Sequence, residues 1–307
     1  MRLISPNPVS IRQRLKSDGL LLFVSAVWGS GFVAQSIASA SMSNYLFNGM
    51  RFALAMLLLL IFTRFRWKAT REQWRWVLLA GFFLFMGSTF QQIGLETTSA
   101  ANAGFITGLY VVIIPIILFT LRMAKIHWLT WAAAIIAVIG TLLLSTGGAF
   151  QPAIGDLYEL IGAFLWAGHV IVVGLASRKM ENFQFTIGQF GVVALLNLLG
   201  ALFFVRGQSP LPAEAWYATL FSAVFPVGLG FTLQVVGQRS APTTDAAIIF
   251  SMEAVFSAIF GFFFLREALL PIQIVGCVLI FCAIILAQFQ PHSDSPAPAE
   301  TVAILQE

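Results

Sequence analysis

The sequence predicts an all-α integral membrane protein: ten transmembrane helices arranged as two inverted five-helix repeats. Three observations predict it. The 307 residues are 59% hydrophobic and only 10% charged, with a mean hydropathy of +0.88. Ten apolar runs of membrane-spanning length follow one another along the chain. Residues of the first half recur in the second at a nearly fixed offset.

Composition comes first. Soluble domains carry about 25% charged residues, and a soluble protein this apolar would lack the polar surface to cover itself. Phe is used 30 times and Cys twice. Cys277 and Cys282 lie five residues apart in one apolar run, point in different directions on a helix and read as packing residues. The formal charge of +4 raises a nucleic-acid reading. The charges, however, sit between apolar runs and not in one stripe, so no nucleic-acid partner is expected.

A bilayer core requires roughly 20 apolar residues per helix. The runs are 19–38, 44–63, 74–92, 99–121, 127–145, 156–176, 184–205, 215–235, 244–265 and 270–289. The first follows Arg12, Arg14 and Lys16 and is followed by Ala38-Ser39-Ala40, as a cleaved signal would be. It is longer than such a signal's apolar core and has a copy later in the chain, so it is assigned to the fold. The connections are short and make antiparallel hairpins. Without water the backbone has to satisfy itself, so the runs are helices, and the alternation of an outer-membrane barrel is missing. The expected organisation is a cytoplasmic segment 1–17, repeats at 18–146 and 155–289, and a disordered Pro/Ala/Ser-rich tail 290–307.

Loop cations orient the chain. With the N-terminus cytoplasmic, Arg2, Arg12, Arg14, Lys16, Arg64, Arg66, Lys68, Arg71, Arg75, Arg122, Lys125, Arg178, Lys179 and Arg239 fall inside. Arg206 and Arg266 fall outside, and Arg51 lies within a helix. The asymmetry predicts both termini in the cytoplasm and an inner-membrane, multi-pass protein.

The repeat is read from pairs. Asp156 and Trp166 lie 138 residues after Asp18 and Trp28, and Gln189-Phe190 likewise follows Arg51-Phe52. Val236-Gly237 lies 143 residues after Ile93-Gly94, and Asp245-Ala246 the same distance after Asn102-Ala103. The five extra residues match a longer loop around Gly207–Ala213. Five helices per repeat insert the second half upside down, a plan of many secondary transporters, with the site near the midplane between the halves. Duplication for stability alone is the plain alternative.

Several stretches resemble the EamA family of the drug/metabolite transporter superfamily. They are Trp28-Gly29-Ser30, Arg51-Phe52, Gln91-Gln92-Ile93-Gly94-Leu95, the run Ala100 to Tyr110, and Gly155-Asp156 leading to Trp166. In the second half they are Gln238-Arg239-Ser240-Ala241-Pro242, Ser251-Met252-Glu253-Ala254-Val255-Phe256 and Leu265-Arg266-Glu267. Each is weak alone, but their order and spacing span nearly the whole chain. The resemblance implies a ten-helix carrier of amino acids, nucleobases, other metabolites or drugs, with a central cavity and a peripheral last helix in each half. Ala254 stands where the family usually has Pro, which removes one cause of a kink. Glu267 has no acidic counterpart in Arg122-Met123-Ala124-Lys125, which argues against a symmetric gate there.

Candidate site residues follow from position. Glu253 is near the middle of the ninth run, where a carboxylate costs roughly 2.5–3.5 kcal/mol on insertion scales and marks a functional site by default. Tyr110 is its repeat mate, and both are expected to face the axis between the halves. His169 lies at similar depth in the sixth run, where it either packs with a hydrogen bond or couples to protons. Arg51 either snorkels outward or pairs with a carboxylate or an anionic substrate group. Its mate Gln189 is neutral. Asn102 and Asp245 open helices, as caps or as anion contacts. Gln91 and its mate Gln234, with Gln35, Gln92 and Asn48, are further polar candidates. Trp28 and Trp166 occupy matched positions, suited to packing or to substrate stacking, beside the small residues Gly29, Gly31 and Gly168 that permit close helix approach.

His127, His169 and His292 form no metal-ligand spacing. Trp28-Gly29-Ser30-Gly31 is too short for a Walker loop and lacks its Lys. No nucleophile and base are paired. Neither a cofactor nor an enzyme activity is expected. The reading is a monomeric secondary carrier, most simply an exporter, of a small organic metabolite, with an amino acid the leading guess. Protons are a candidate coupling ion, and membrane lipid is the surrounding partner. A flippase or lipid-linked head-group handling protein and a channel are the alternatives.

Overall fold

The computed structural model describes residues 11–98, 100–147, 152–205, 210–260, 262–263 and 269–289. Among them, ten helices are long and apolar enough to cross a membrane: α1 (Gln13–Ser39), α2 (Asn44–Phe62), α3 (Arg71–Gly94), α4 (Ala103–Thr120), α5 (Trp128–Thr146), α6 (Ile154–Ala176), α7 (Asn182–Phe204), α8 (Ala213–Gln238), α9 (Thr243–Phe260) and α10 (Pro271–Gln288). The helix ends next to the Lys- and Arg-rich connections form a basic end, and the other ends form the far end. Phe62, Phe119, Leu202, Phe203 and Phe204 are mostly exposed. Lipid, not water, is the neighbour that suits such a surface. The tail, Arg206, Arg266 and Glu267 lie outside the described residues.

Local sequence sets many helix ends. Thr70 and Gln73 cap α3 reciprocally, and Ser43 caps the segment that opens α2. Gly147 closes α5 in the left-handed conformation, at φ 59°. The helix containing α1 starts at Ile11, well before the apolar run. Arg14 and Lys16, read from sequence as a loop, therefore lie on its first turns. Arg14 is buried there because carboxylates meet it. Its Nη2 donates to Asp245 Oδ2 at 2.7 Å, and its Nε lies 3.8 Å from Asp18 Oδ2.

The packing obeys the repeat. α2 lies against α7, and α5 against α10, each the mate of the other. α3 packs on α6 as α8 packs on α1, and α4 packs on α6 as α9 packs on α1. Close approach depends on missing side chains. A Cβ on Gly276 would lie 2.5 Å from Gly140 O and 2.6 Å from Leu144 N, so α5 and α10 touch backbone to backbone. A Cβ on Gly29 would lie 2.9 Å from Glu253 O, which seats α1 directly on the middle of α9.

Three helices are irregular. α4 is broken at Leu109, between segments Ala100–Gly108 and Tyr110–Thr120, and α9 is broken at Ser251, between Thr243–Phe250 and Met252–Phe260. The breaks are mates to within one residue. That in α9 occurs without a proline at Ala254. The Ser251 hydroxyl donates to Ile248 O at 2.6 Å, taking up a carbonyl at the break. α8 carries a π-helical stretch, Ala223–Phe231, containing Pro226.

Two outcomes are expected of this packing. Gly276→Ala overpacks the α5–α10 contact and lowers stability by about 1–3 kcal/mol, read as a lower thermal midpoint in detergent. Gly19→Ala, where nothing lies within 4 Å of the added Cβ, does not lower the midpoint, because Ala is the better helix former by about 1 kcal/mol. Arg14→Gln removes the cation that meets Asp245 at 2.7 Å and costs up to about 3–5 kcal/mol. Adding Asp245→Asn recovers part of that loss in a double-mutant cycle, and full additivity would show that the pair carries no coupling.

Candidate functional site

The broken helices bring Glu253 and Tyr110 to one place. Each lies ten residues into its helix from the ends at Thr243 and Ala100, about 15 Å at 1.5 Å per residue. Both line a cavity of about 180 Å³. Its walls are Gly104, Thr107 and Gly108 on α4, Thr141 and Ser145 on α5, Ser251 and Ser257 on α9, with Gln273 of α10 toward the far end. Phe32 of α1 and Phe250 also face it. The breaks place Glu253 and Tyr110 at the starts of the second half-helices, where Ala254 N bonds back to Ser251 O at 3.3 Å and Val112 N to Leu109 O at 3.0 Å. The cavity thus offers one carboxyl, one phenol, several hydroxyls and the Gln273 amide among apolar side chains.

The other sequence candidates fall into separate groups. Trp28, Trp166 and His169 meet at mid-depth around Phe231. Trp28 lies 5.1 Å from Phe231 and Trp166 6.1 Å, the latter nearly parallel at 8°. The His169 ring meets Phe231 edge-on at 5.8 Å, and its Nε2 bonds Gln189 Oε1 at 3.0 Å. Trp28 Nε1 donates to Pro226 O at 3.0 Å, so the π-helical stretch supplies its partner. This aromatic centre packs the halves together, and neither Trp nor His169 lines the cavity. Trp166 Nε1, His169 Nδ1 and Gln189 Nε2 are buried without partners.

Arg51 is 5% exposed and does not snorkel outward. Its guanidinium stacks on Phe47 at 4.7 Å and on Phe52 at 5.4 Å, a cation–π arrangement. No described carboxylate lies within ion-pair distance of it, and its Nε has no hydrogen-bond partner. Gln92 donates to Ser39 Oγ and Asn48 to Ser88 O, while the Gln35, Gln92 and Asn48 side-chain oxygens are left without donors. Gln234 donates to Gln238 Oε1 at 2.9 Å. Asp245 is the third residue of its helix and holds Arg14, so an ion pair stands where a cap was expected. The side chain of Asn102 lies outside the described residues.

One residue was missed from sequence. Glu159 on α6 is fully buried, accepts from Thr107 Oγ1 at 2.8 Å, and has no partner on Oε1. Gln91, a sequence candidate, donates to the same Thr107 oxygen at 3.4 Å. The signal was available: Glu159, Trp166 and His169 recur at helical spacing on one face of α6. No group of His, Cys, Asp or Glu among the described residues is placed to hold a metal.

Comparison with known proteins agrees with the fold. The chain matches the model of the EamA-like transporter family over residues 15–146 and 153–289. It is 31% identical over 282 residues to an uncharacterized transporter of Archaeoglobus fulgidus, covering 91% of this chain and 87% of that protein. It is 24% identical to the uncharacterized transporter YetK of Bacillus subtilis, covering 96% and 94%. A chloroplastic WAT1-related protein of Arabidopsis thaliana is 22% identical, covering 87% and 68%. A solved crystal structure superimposes with a TM-score of 0.75 at 18% identity, over 89% of this chain and 96% of the other. With the repeat, the ten helices and the motifs in register over both halves, the chain belongs to the EamA-like transporter family, and it is a multi-pass membrane protein.

Proposed function

We propose that the chain is a secondary carrier that exports a small organic metabolite, an amino acid foremost, across the cytoplasmic membrane by alternating access. The basic end is cytoplasmic under the positive-inside rule, so both termini are cytoplasmic, and the carrier works as a monomer. The observation that carries the reading is the cavity on broken helices, with Glu253 and its repeat mate Tyr110 at mid-depth. Discontinuous helices at the midplane are where secondary carriers of this plan hold solute and coupling ion. The cavity runs from Glu253 toward the far end, while the Arg14–Asp245 pair ties α1 to α9 at the basic end. That arrangement suits a carrier closed on its basic side.

Glu253 holds either the ammonium group of the solute or a proton that drives export. One observation favours a second reading, lipid head-group handling. α5 and α10 form one wall of the cavity, and their outer residues Ile135, Ile274 and Phe281 are exposed. Parting of these helices would open the cavity sideways to lipid.

Purified protein in liposomes is expected to give saturable counterflow with at least one solute of an amino-acid and metabolite panel. Absence of counterflow across the panel, with lipid scrambling or unsaturable conductance instead, would replace the carrier by a flippase or a channel. Glu253→Gln separates the two roles of the carboxyl. Solute binding predicts that the apparent KM for cationic solutes rises about ten- to a hundredfold, the loss of one charge-assisted contact. Proton coupling predicts that gradient-driven accumulation and pH dependence disappear while exchange persists. A variant that transports like the parent at every pH would leave Glu253 a packing residue.

A further inference from the structure

Glu159 is a carboxyl without a counter-charge. It lies five residues into α6, about 7.5 Å from the far end at 1.5 Å per residue. A carboxylate buried away from water holds a cation or takes up a proton. No described Lys, Arg or His lies within ion-pair distance of it. A Cβ on Gly94 would lie 2.5 Å from Oε1 and 2.9 Å from Cδ, so the carboxyl fills the space over that glycine.

The surroundings add no second charge at contact. On α6, Asp156 is occupied by Ala153 N and Thr98 Oγ1, and Tyr158 and His169 complete its titratable groups. α3 brings none in its last three turns, and Glu96 beyond it accepts from Asn44 Nδ2. α4 brings Tyr110, and α9 brings Glu253 and Asp245. The α8 segment Thr232–Gln238, which packs on α6, brings none.

Thr107 connects this carboxyl to the cavity. Its hydroxyl bonds Glu159 Oε2, accepts from Gln91 Nε2, and belongs to a residue on the cavity wall. A hydroxyl has one proton and two acceptor sites, so it can receive a proton on one side and release its own on the other. From these contacts we propose that Glu159 is a second proton-binding site of this protein, in exchange with the Glu253 cavity through the Thr107 hydroxyl. The transfer balances. The Glu159 O–H bond breaks and an O–H bond forms on Thr107 Oγ1. The original Thr107 O–H breaks, and that proton passes to a water in the cavity. Thr107 ends with one proton, now donated to the carboxylate, and one proton has left Glu159. Glu159 on α6 and Glu253 on α9 then stand as two proton sites of the second repeat, both in exchange with one cavity. The use of this exchange in coupling rests on the carrier reading. The proton site itself does not.

Infrared difference spectra of the whole chain in lipid, recorded between pH values at which it stays folded, test the site with the proton itself as probe. A carboxylic-acid C=O band that titrates in the parent is expected to be absent in Glu159→Gln and present in Glu253→Gln. After transfer to D2O, the Glu159 band is expected to exchange about a hundredfold more slowly in Thr107→Val, the lower end of what a positioned proton-transfer group supplies. Thr107→Ser, which keeps the hydroxyl, exchanges like the parent and separates loss of the relay from loss of shape. Acid bands unchanged in Glu159→Gln would overturn the site, and equally fast exchange in Thr107→Val would overturn the relay. Failed counterflow with these bands intact would remove the carrier reading and leave the proton site standing.

Discussion

Hydrocarbon offers no hydrogen bonds, and this chain has to satisfy its buried polar atoms from within. The helices do so for the backbone. Hydroxyls bond back into their own helix: Ser25 to Leu21 O at 3.0 Å, Thr141 to Ala137 O at 2.8 Å, Thr219 to Ala215 O at 2.7 Å. Amides pair across helices, Gln238 with Val170 O and His169 with Gln189. Against that background the unpartnered atoms stand out. Glu159 Oε1, Arg51 Nε and the side-chain oxygens of Gln35, Asn48 and Gln92 lie in the far half of the bundle, Trp166 Nε1, His169 Nδ1 and Gln189 Nε2 at its centre, and Gln234 Oε1 toward the basic end. A solvent that cannot compensate them makes each an unmet demand, which is the condition a solute or a proton satisfies.

The same constraint explains how the halves stay together without a hydrophobic drive between them. Lipid is as apolar as the helix faces, so contact has to come from shape and from polar bonds. Shape comes from glycine pairs such as Gly140 and Gly276, and from rings. Phe231 touches Trp28, Trp166, His169, Phe52 and Phe190 with ring centroids between 5.1 and 6.2 Å. It reaches that position from the π-helical stretch of α8, whose Pro226 carbonyl also receives the Trp28 indole. An irregular turn therefore serves two ends: it aims a ring at the centre and supplies an acceptor where a regular helix would have used its own.

The scaffold was legible because hydropathy and repetition are properties of long stretches. All ten spans coincide with an apolar run, and mates such as α2 and α7 pack together. Short features were less legible. The start of α1 was set too late because Arg14 and Lys16 interrupt the apolar run, and only the fold brings Asp245 to neutralise Arg14. The break at Leu109 directly follows Gly108, a weak signal in an apolar run, and the break at Ser251 has no glycine or proline beside it, so the local sequence does not announce it. Glu159 was passed over because a charge five residues into a helix reads as an end charge, and only burial distinguishes the two. The pairing of Glu253 with Tyr110 was readable from the offset alone. The distribution of Arg51, Trp28 and the glutamines into separate groups was not, because it depends on rotation of each helix about its axis.

The repeat equalises the scaffold of the two ends, and the residues then make them differ. In the proposed alternating-access reading, inverted halves give an outward- and an inward-closed form nearly the same backbone packing, and side-chain differences then bias one form over the other. Asp18 and Asp156 are mates, as are Asp245 and Asn102. At the basic end the acidic pair meets Arg14, an ion pair with side chains 10% and 1% exposed. At the far end Asp156 meets a hydroxyl and its own helix start, with no described cation within ion-pair distance. Opening the basic end lets water solvate the parted charges, so the bias from Arg14 is smaller than the about 3–5 kcal/mol that stranding a buried charge costs, and among the described residues the far end has no matching pair. Under the proposed carrier reading, the Arg14 pair favours closure at the basic end, and solute or protons held in the far half make a contribution that opposes that bias. The unpartnered Glu159, Arg51 and glutamine oxygens are the groups from which such a contribution can be drawn.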